Sequence, residues 1–219
     1  HEGVHVHRQQ RTVSGMDAAP PAQRAARATG DRILDAALVS FADRGYEATS
    51  LDAVATGLDV RKQTILYHFG SKEALLEAVI DRSAAELAEV LERALSKAGP
   101  GFARVEALVK AVFRLAARRP ELLGLLREVS RLGPPATTRL LEALDPLVER
   151  ARAFLEAEMA AGNMRRQDPR LLLLSSYSTV IGVATEVEVL RAVGVEPTVR
   201  SLLRRRNELL EFLRSALVA

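Results

Sequence analysis

Apolar residues recur three and four places apart along most of this chain, and each such run stops at a glycine or a proline. That spacing matches the 3.6-residue turn of an α-helix; a half-buried strand would alternate every second residue. Ile33, Leu34, Ala37, Leu38 and Phe41 share one helical face, and so do Leu75, Leu76, Val79 and Ile80. Breaks fall at Gly99-Pro100-Gly101, Arg119-Pro120, Gly133-Pro134-Pro135, Gly162-Asn163, Asp168-Pro169 and Glu196-Pro197. Glycine and proline punctuate helices in this way because one frees the backbone and the other removes a donor. No alternating run, hairpin signal or fixed-period repeat accompanies them. The pattern predicts an all-α protein of about nine helices, a small N-terminal group followed by a larger C-terminal bundle.

Composition narrows the functions open to such a chain. Its 219 residues, 48% of them hydrophobic, suffice for one or two domains with a sizeable core. Cysteine is absent, which removes disulfides, thiol catalysis and zinc–thiolate sites together. The longest apolar stretch, Leu171 to Val183, is interrupted by serines and is too short to span a bilayer. A soluble, cytoplasmic protein without membrane partners is expected. The sequence pI of 9.6 points weakly to an anionic partner. Residues 1–28 read as a disordered leader. Met16 is a candidate start, which leaves open whether residues 1–15 belong to the native protein. His1, His5 and His7 could ligate a metal, but without a carboxylate or a fixed geometry a flexible tail is the better reading. No metal site and no cofactor are expected.

The stretch VRKQTILYHFGSKEALLEAVI, residues 60–80, carries the most chemistry. A first helix is expected over about Asp31–Arg44, capped by Thr29 or Asp31 and stopped by Gly45. A short second helix follows, with Thr49 as N-cap, Asp52 near its positive end and Leu51, Val54, Ala55 and Leu58 as its apolar stripe. A turn at Leu58-Asp59-Val60 leads to a third helix over about Arg61–Tyr67, and Ser71 caps a fourth. Two short helices joined by such a turn form a helix-turn-helix. Ala55 is small enough for the two to cross closely, Asp59 tolerates the left-handed backbone of the turn, and Ile65 plugs the third helix into the core. Arg61, Lys62 and Gln63 then project from the end that a recognition helix inserts into the major groove. Arginine and lysine suit guanine O6 and N7, and glutamine suits adenine.

Residues 31–80 resemble the DNA-binding domain of the TetR family of transcriptional regulators, most specifically in the LYHF-x-SK-x-x-L tail. The resemblance implies a helix-turn-helix domain over residues 29–82 and a ligand-binding and dimerisation domain over 83–219. It further implies a homodimer, a double-stranded DNA operator and a small-molecule effector. Carried over by position, Tyr67 and His68 would touch the DNA backbone, Lys72 would contact phosphate, and Thr49 or Ser50 would offer a hydroxyl to another phosphate. Phe69 would pack inward. Asp59 in place of a turn glycine, and Arg61 in place of a capping Ser or Thr, depart from the family pattern. Residues 31–80 hold five cations against eight acids, a net of −3, so the placement of the cations, not their number, favours DNA. Arg24 and Arg27, just upstream, could add backbone or minor-groove contacts or belong to a solvated tail.

Two long helices, about 168–193 and 197–217, close the chain. Ser175, Thr179 and Gly182 give the first a face of small side chains, which suits close helix packing. The resemblance implies that this face pairs with its mate in a four-helix dimer bundle, and packing within one protomer is the alternative. The effector pocket is sought among Phe113, Leu122, Leu126, Met159 and Tyr177, each of which also serves as plain core. Glu128 is either a polar anchor for a cationic ligand or a surface residue. The expected function is sequence-specific DNA binding by a repressor that a small molecule releases. An all-helical enzyme is disfavoured, since no nucleophile elbow, phosphate-cradling loop, HExxH or paired-carboxylate pattern appears and His68 is the single histidine in the folded region. A helical interaction module without DNA binding is the remaining alternative.

Overall fold

The computed structural model describes residues 21–218. The readings placed on His1, His5, His7, Met16 and the rest of residues 1–20 lie outside them. The described residues form ten helices and no strand: α1 (Pro21–Arg44), α2 (Leu51–Gly57), α3 (Lys62–Phe69), α4 (Lys72–Leu95), α5 (Phe102–Arg118), α6 (Pro120–Leu132), α7 (Ala136–Ala160), α8 (Pro169–Thr185), α9 (Val187–Ala192) and α10 (Val199–Leu217). Each of the six glycine and proline breaks falls at a junction between helices.

Three boundaries depart from the sequence pattern. Helix α1 starts at Pro21, so residues 21–28 are helical and not part of a disordered leader. Proline suits a first helical turn, and the run of alanines at 22, 25, 26 and 28 outweighs Gly30. Thr29 is therefore no cap; its hydroxyl donates back to the Ala25 carbonyl at 3.0 Å. The expected helix over 168–193 is two, broken at Glu186, which brings the count to ten. No glycine or proline marks that break. Arginines from other helices take the last carbonyls of α8: Arg127 donates to Thr185 O and Arg205 to Val183 O. Finally, α4 runs unbroken through residues 82–83, where the boundary between head and body was expected.

The apolar faces close into two cores. One gathers α1 to α4 around Ile33, Phe41, Ile65, Leu75 and Ile80, and extends onto α6 through Leu123, Leu125 and Val129. The other joins α5, α7, α8 and α10 around Val109, Phe113, Met159, Leu209 and Leu213. Helices α1 and α6 meet closely where Gly124 faces Ala42; a Cβ at Gly124 would lie 3.0 Å from the Ala42 Cβ. The N-terminal group therefore has no core separate from the body. Helix α6 is its floor. Among the described residues no helix is long and apolar enough to cross a membrane.

Candidate nucleic-acid interface

Helix α2 starts at Ser50, whose hydroxyl accepts the Ala53 N–H at 3.1 Å. Thr49, expected as this cap and as a phosphate contact, is buried instead. Its hydroxyl lies 2.8 Å from the Gly45 carbonyl and 3.1 Å from that of Ser40, so it ties the α1–α2 turn and presents nothing to solvent. Of the two alternatives, Ser50 is the exposed one. The turn into α3 hangs on Ala55, whose carbonyl accepts both the Leu58 and Val60 N–H groups. Asp59 adopts φ 56°, the one left-handed non-glycine among the described residues. Here an aspartate does what glycine usually does.

Helix α3 is pinned by Ile65, which is 0% exposed. Burying that side chain contributes roughly 1.5–3 kcal/mol. Around this plug the polar residues have to face outward. Arg61 is the N-cap but makes no side-chain capping bond, which leaves its guanidinium exposed. Lys62 and Gln63 are exposed beside it. The Lys62 ammonium donates to Asp52 on α2 at 2.8 Å. Both partners are open to water, and such a pair is worth only about 0–1 kcal/mol, so a phosphate or a guanine edge can take the lysine at little cost.

At the other end of α3, Tyr67 is 84% exposed and His68 half-buried, their rings edge to face at 5.4 Å. Gly30 on α1 lies alongside His68. Phe69 packs on the first core as expected. Gly70, at φ 79°, ends the helix, and Ser71 caps α4 by accepting the Ala74 N–H. Lys72 follows, its ammonium 4.1 Å above the Tyr46 ring and 3.5 Å from the Glu47 carbonyl. Tyr46 donates its phenol proton to Glu73 at 3.0 Å. Burial, reinforced by that carboxylate, pushes the phenol up to about 12. Backbone and Ser71 hydrogen bonds hold Glu73 below the usual carboxylate range. No motif marked Tyr46; its aromatic ring directly after the Gly45 stop is the one signal that could have found it.

The candidates in the body fare differently. Phe113 and Met159 belong to the second core, Leu122 and Leu126 to the first, and Tyr177 is 44% exposed. The structure does not bring these five around one cavity, because the chain's two apolar stripes close separately. Glu128 is neither a ligand anchor nor a surface residue: it is buried, with its carboxylate committed to the Tyr46 N–H and to Arg131. The small face of α8 stays open. Ser175 is exposed, a side chain at Gly182 would meet nothing within 4 Å, and Thr179 donates to the Ser175 carbonyl within the helix.

The four helices that carry this surface coincide with a match to the family of bacterial regulatory proteins, tetR family, over residues 33–79. Residues 33–79 belong to the TetR family. Over 47 residues it is 38% identical to IcaR of Staphylococcus aureus strain Newman, the negative transcriptional regulator of the biofilm operon icaADBC. That stretch is 22% of this chain and spans a quarter of the relative's length. Beyond the head, the TetR likeness is one of fold. A transcriptional regulator from Saccharomonospora viridis, solved with choline, aligns over 88% of this chain and 99% of its own at TM-score 0.72 and 21% identity. FadR from Bacillus subtilis, solved with stearoyl-CoA, aligns over 84% and 96% at TM-score 0.70 and 19% identity. These relatives are transcriptional regulators, not enzymes.

Proposed function

We propose that this chain acts as a homodimeric, cytoplasmic repressor that a small molecule releases from its operator. The observation that carries the reading is the construction of α3: a fully buried Ile65 fixes the helix, and Arg61, Lys62 and Gln63 stand exposed at its start. In this reading Lys62, Gln63 and Arg61 enter the major groove and address base edges. Ser50, Tyr67, His68 and Lys72 hold the phosphate backbone on either side. Arg24 and Arg27, exposed on the helical start of α1, add further backbone charge.

The open face of α8 supports a dimer. Leu171 and Leu174, 63% and 60% exposed, flank Ser175 and Gly182 on one side of that helix. A second protomer would cover them and place the reading heads on successive half-sites, about 34–36 Å apart. Negative regulation by IcaR supports repression, and the ligands held by the two structural relatives support a small-molecule effector.

Selection of bound fragments from a random pool of duplexes tests the reading. A defined sequence should emerge, and it should outcompete bulk DNA by at least about 10³-fold at fixed salt. Substituting Lys62, Tyr67 and Lys72 together should abolish that preference. Retention of the preference by the triple variant would remove the assigned surface, and absence of any preferred duplex would remove DNA recognition itself.

A further inference from the structure

Resting on that reading of Lys72, we propose that Glu128, on α6 outside the helix-turn-helix, is a positioning residue for operator binding that acts on Lys72 through Tyr46. The carboxylate crosses from the body to the head. It accepts the Tyr46 backbone N–H at 2.6 Å, and Arg131 clamps it from its own helix with bonds of 2.8 and 2.7 Å. Arg131 stands outside in solvent, so the buried carboxylate is neutralised from the protein surface without a second buried charge. The α1–α2 turn is shaped around this group. Gly45 sits at φ 83°, and a side chain there would come 3.2 Å from the carboxylate oxygen. Glycine is thus required both by the backbone and by the space Glu128 fills.

Tyr46 carries the hold onward. Its backbone is fixed by Glu128, its ring packs on Phe41, its hydroxyl ties the first turn of α4 through Glu73, and its upper face seats the Lys72 ammonium. A cation over a half-buried ring gains only about 0.5–2 kcal/mol. That suffices to select a side-chain direction and is weak enough to release the ammonium to a phosphate. The same turn carries Thr49, bonded to Gly45 O, and next to it the Ser50 cap. One carboxylate on the floor of the head therefore orients the mount of Lys72, while Ser50 is held by its own cap bond from the Ala53 N–H. A shift of α6 would reach the DNA surface along this line.

Binding of the full-length protein to its selected duplex, titrated at several salt concentrations, tests the proposal. E128A and K72A should each weaken affinity about tenfold at fixed salt, and each should lower the slope of log affinity against log salt by about one phosphate contact. If Glu128 acts through Lys72, the double variant should bind no more weakly than K72A alone. E128Q keeps an acceptor for the Tyr46 N–H and should stay within about threefold of wild type. Should E128A fail to fold, E128D enters the same cycle: it retains the charge but falls short of the Tyr46 amide. Fully additive losses, or an E128A protein with unchanged affinity and salt slope, would overturn the inference while K72A still showed its own loss. Unchanged binding by K72A would overturn the phosphate assignment of Lys72 and the inference with it.

Discussion

Asp59 turns the chain between α2 and α3 in a backbone region that L residues rarely occupy, at φ 56°. The strain for an aspartate is smaller than for a branched side chain, yet glycine at this point has none. Asp59→Gly should therefore stabilise the protein by about 0.5–1 kcal/mol in urea unfolding, the relief being partly offset by added freedom in the unfolded chain. Operator affinity should stay unchanged, because Asp59 is not among the proposed contacts; a drop in affinity would give Asp59 a direct role. Thr49 poses the converse question. Its hydroxyl serves the Gly45 and Ser40 carbonyls inside the turn. Thr49→Val should cost about 1–3 kcal/mol of stability by leaving buried acceptors unmet. Affinity per folded molecule should hold, and a selective loss of affinity would restore Thr49 to the phosphate surface.

At the scale of elements, the contact of α1 with α6 decides how the head rides on the body, and Glu128 is its polar centre. Arg131 hydrogen bonds hold the Glu128 carboxyl below its ordinary value of 4.5, against the opposing effect of burial. A carboxyl depressed in the folded state adds stability that is complete above the ordinary value and is lost as pH falls through the folded one. Between about pH 6 and pH 3 the wild type should thus lose more melting temperature than E128Q; equal losses would show that the buried carboxylate is not selectively ionised. This element contact was not legible in the sequence. Helical periodicity located the apolar stripes of α1 to α4, the Ile65 plug and all six glycine and proline breaks, since those are properties of short windows. It missed the helical residues 21–28, where alanine propensity competes with a glycine, and the break at Glu186, which side chains from α6 and α10 impose. Glu128 and Tyr46 meet across 82 positions, and no local pattern encodes such a meeting. The pocket candidates failed for the same reason: apolar spacing gives a face but not which of two cores the face joins.

For the whole molecule, the decisive surface is the uncovered side of α8. An isolated protomer leaves Leu171 and Leu174 in water beside the small residues Ser175 and Gly182. Large exposed leucines next to room for close backbone approach are the signature of a helix that expects another helix. Leu174→Glu places a charge in that face without touching either core, so the helical circular-dichroism signal should persist. Sedimentation at micromolar concentration should then show single protomers for the variant and paired protomers for the wild type. Operator affinity should fall by about 10²-fold or more, because one head must bind without the second held nearby at high effective concentration. A variant that remains dimeric would place the two-fold axis on another surface. A variant that dissociates yet keeps its operator affinity would mean that one head alone supplies the recognition, and the paired half-site geometry would fall.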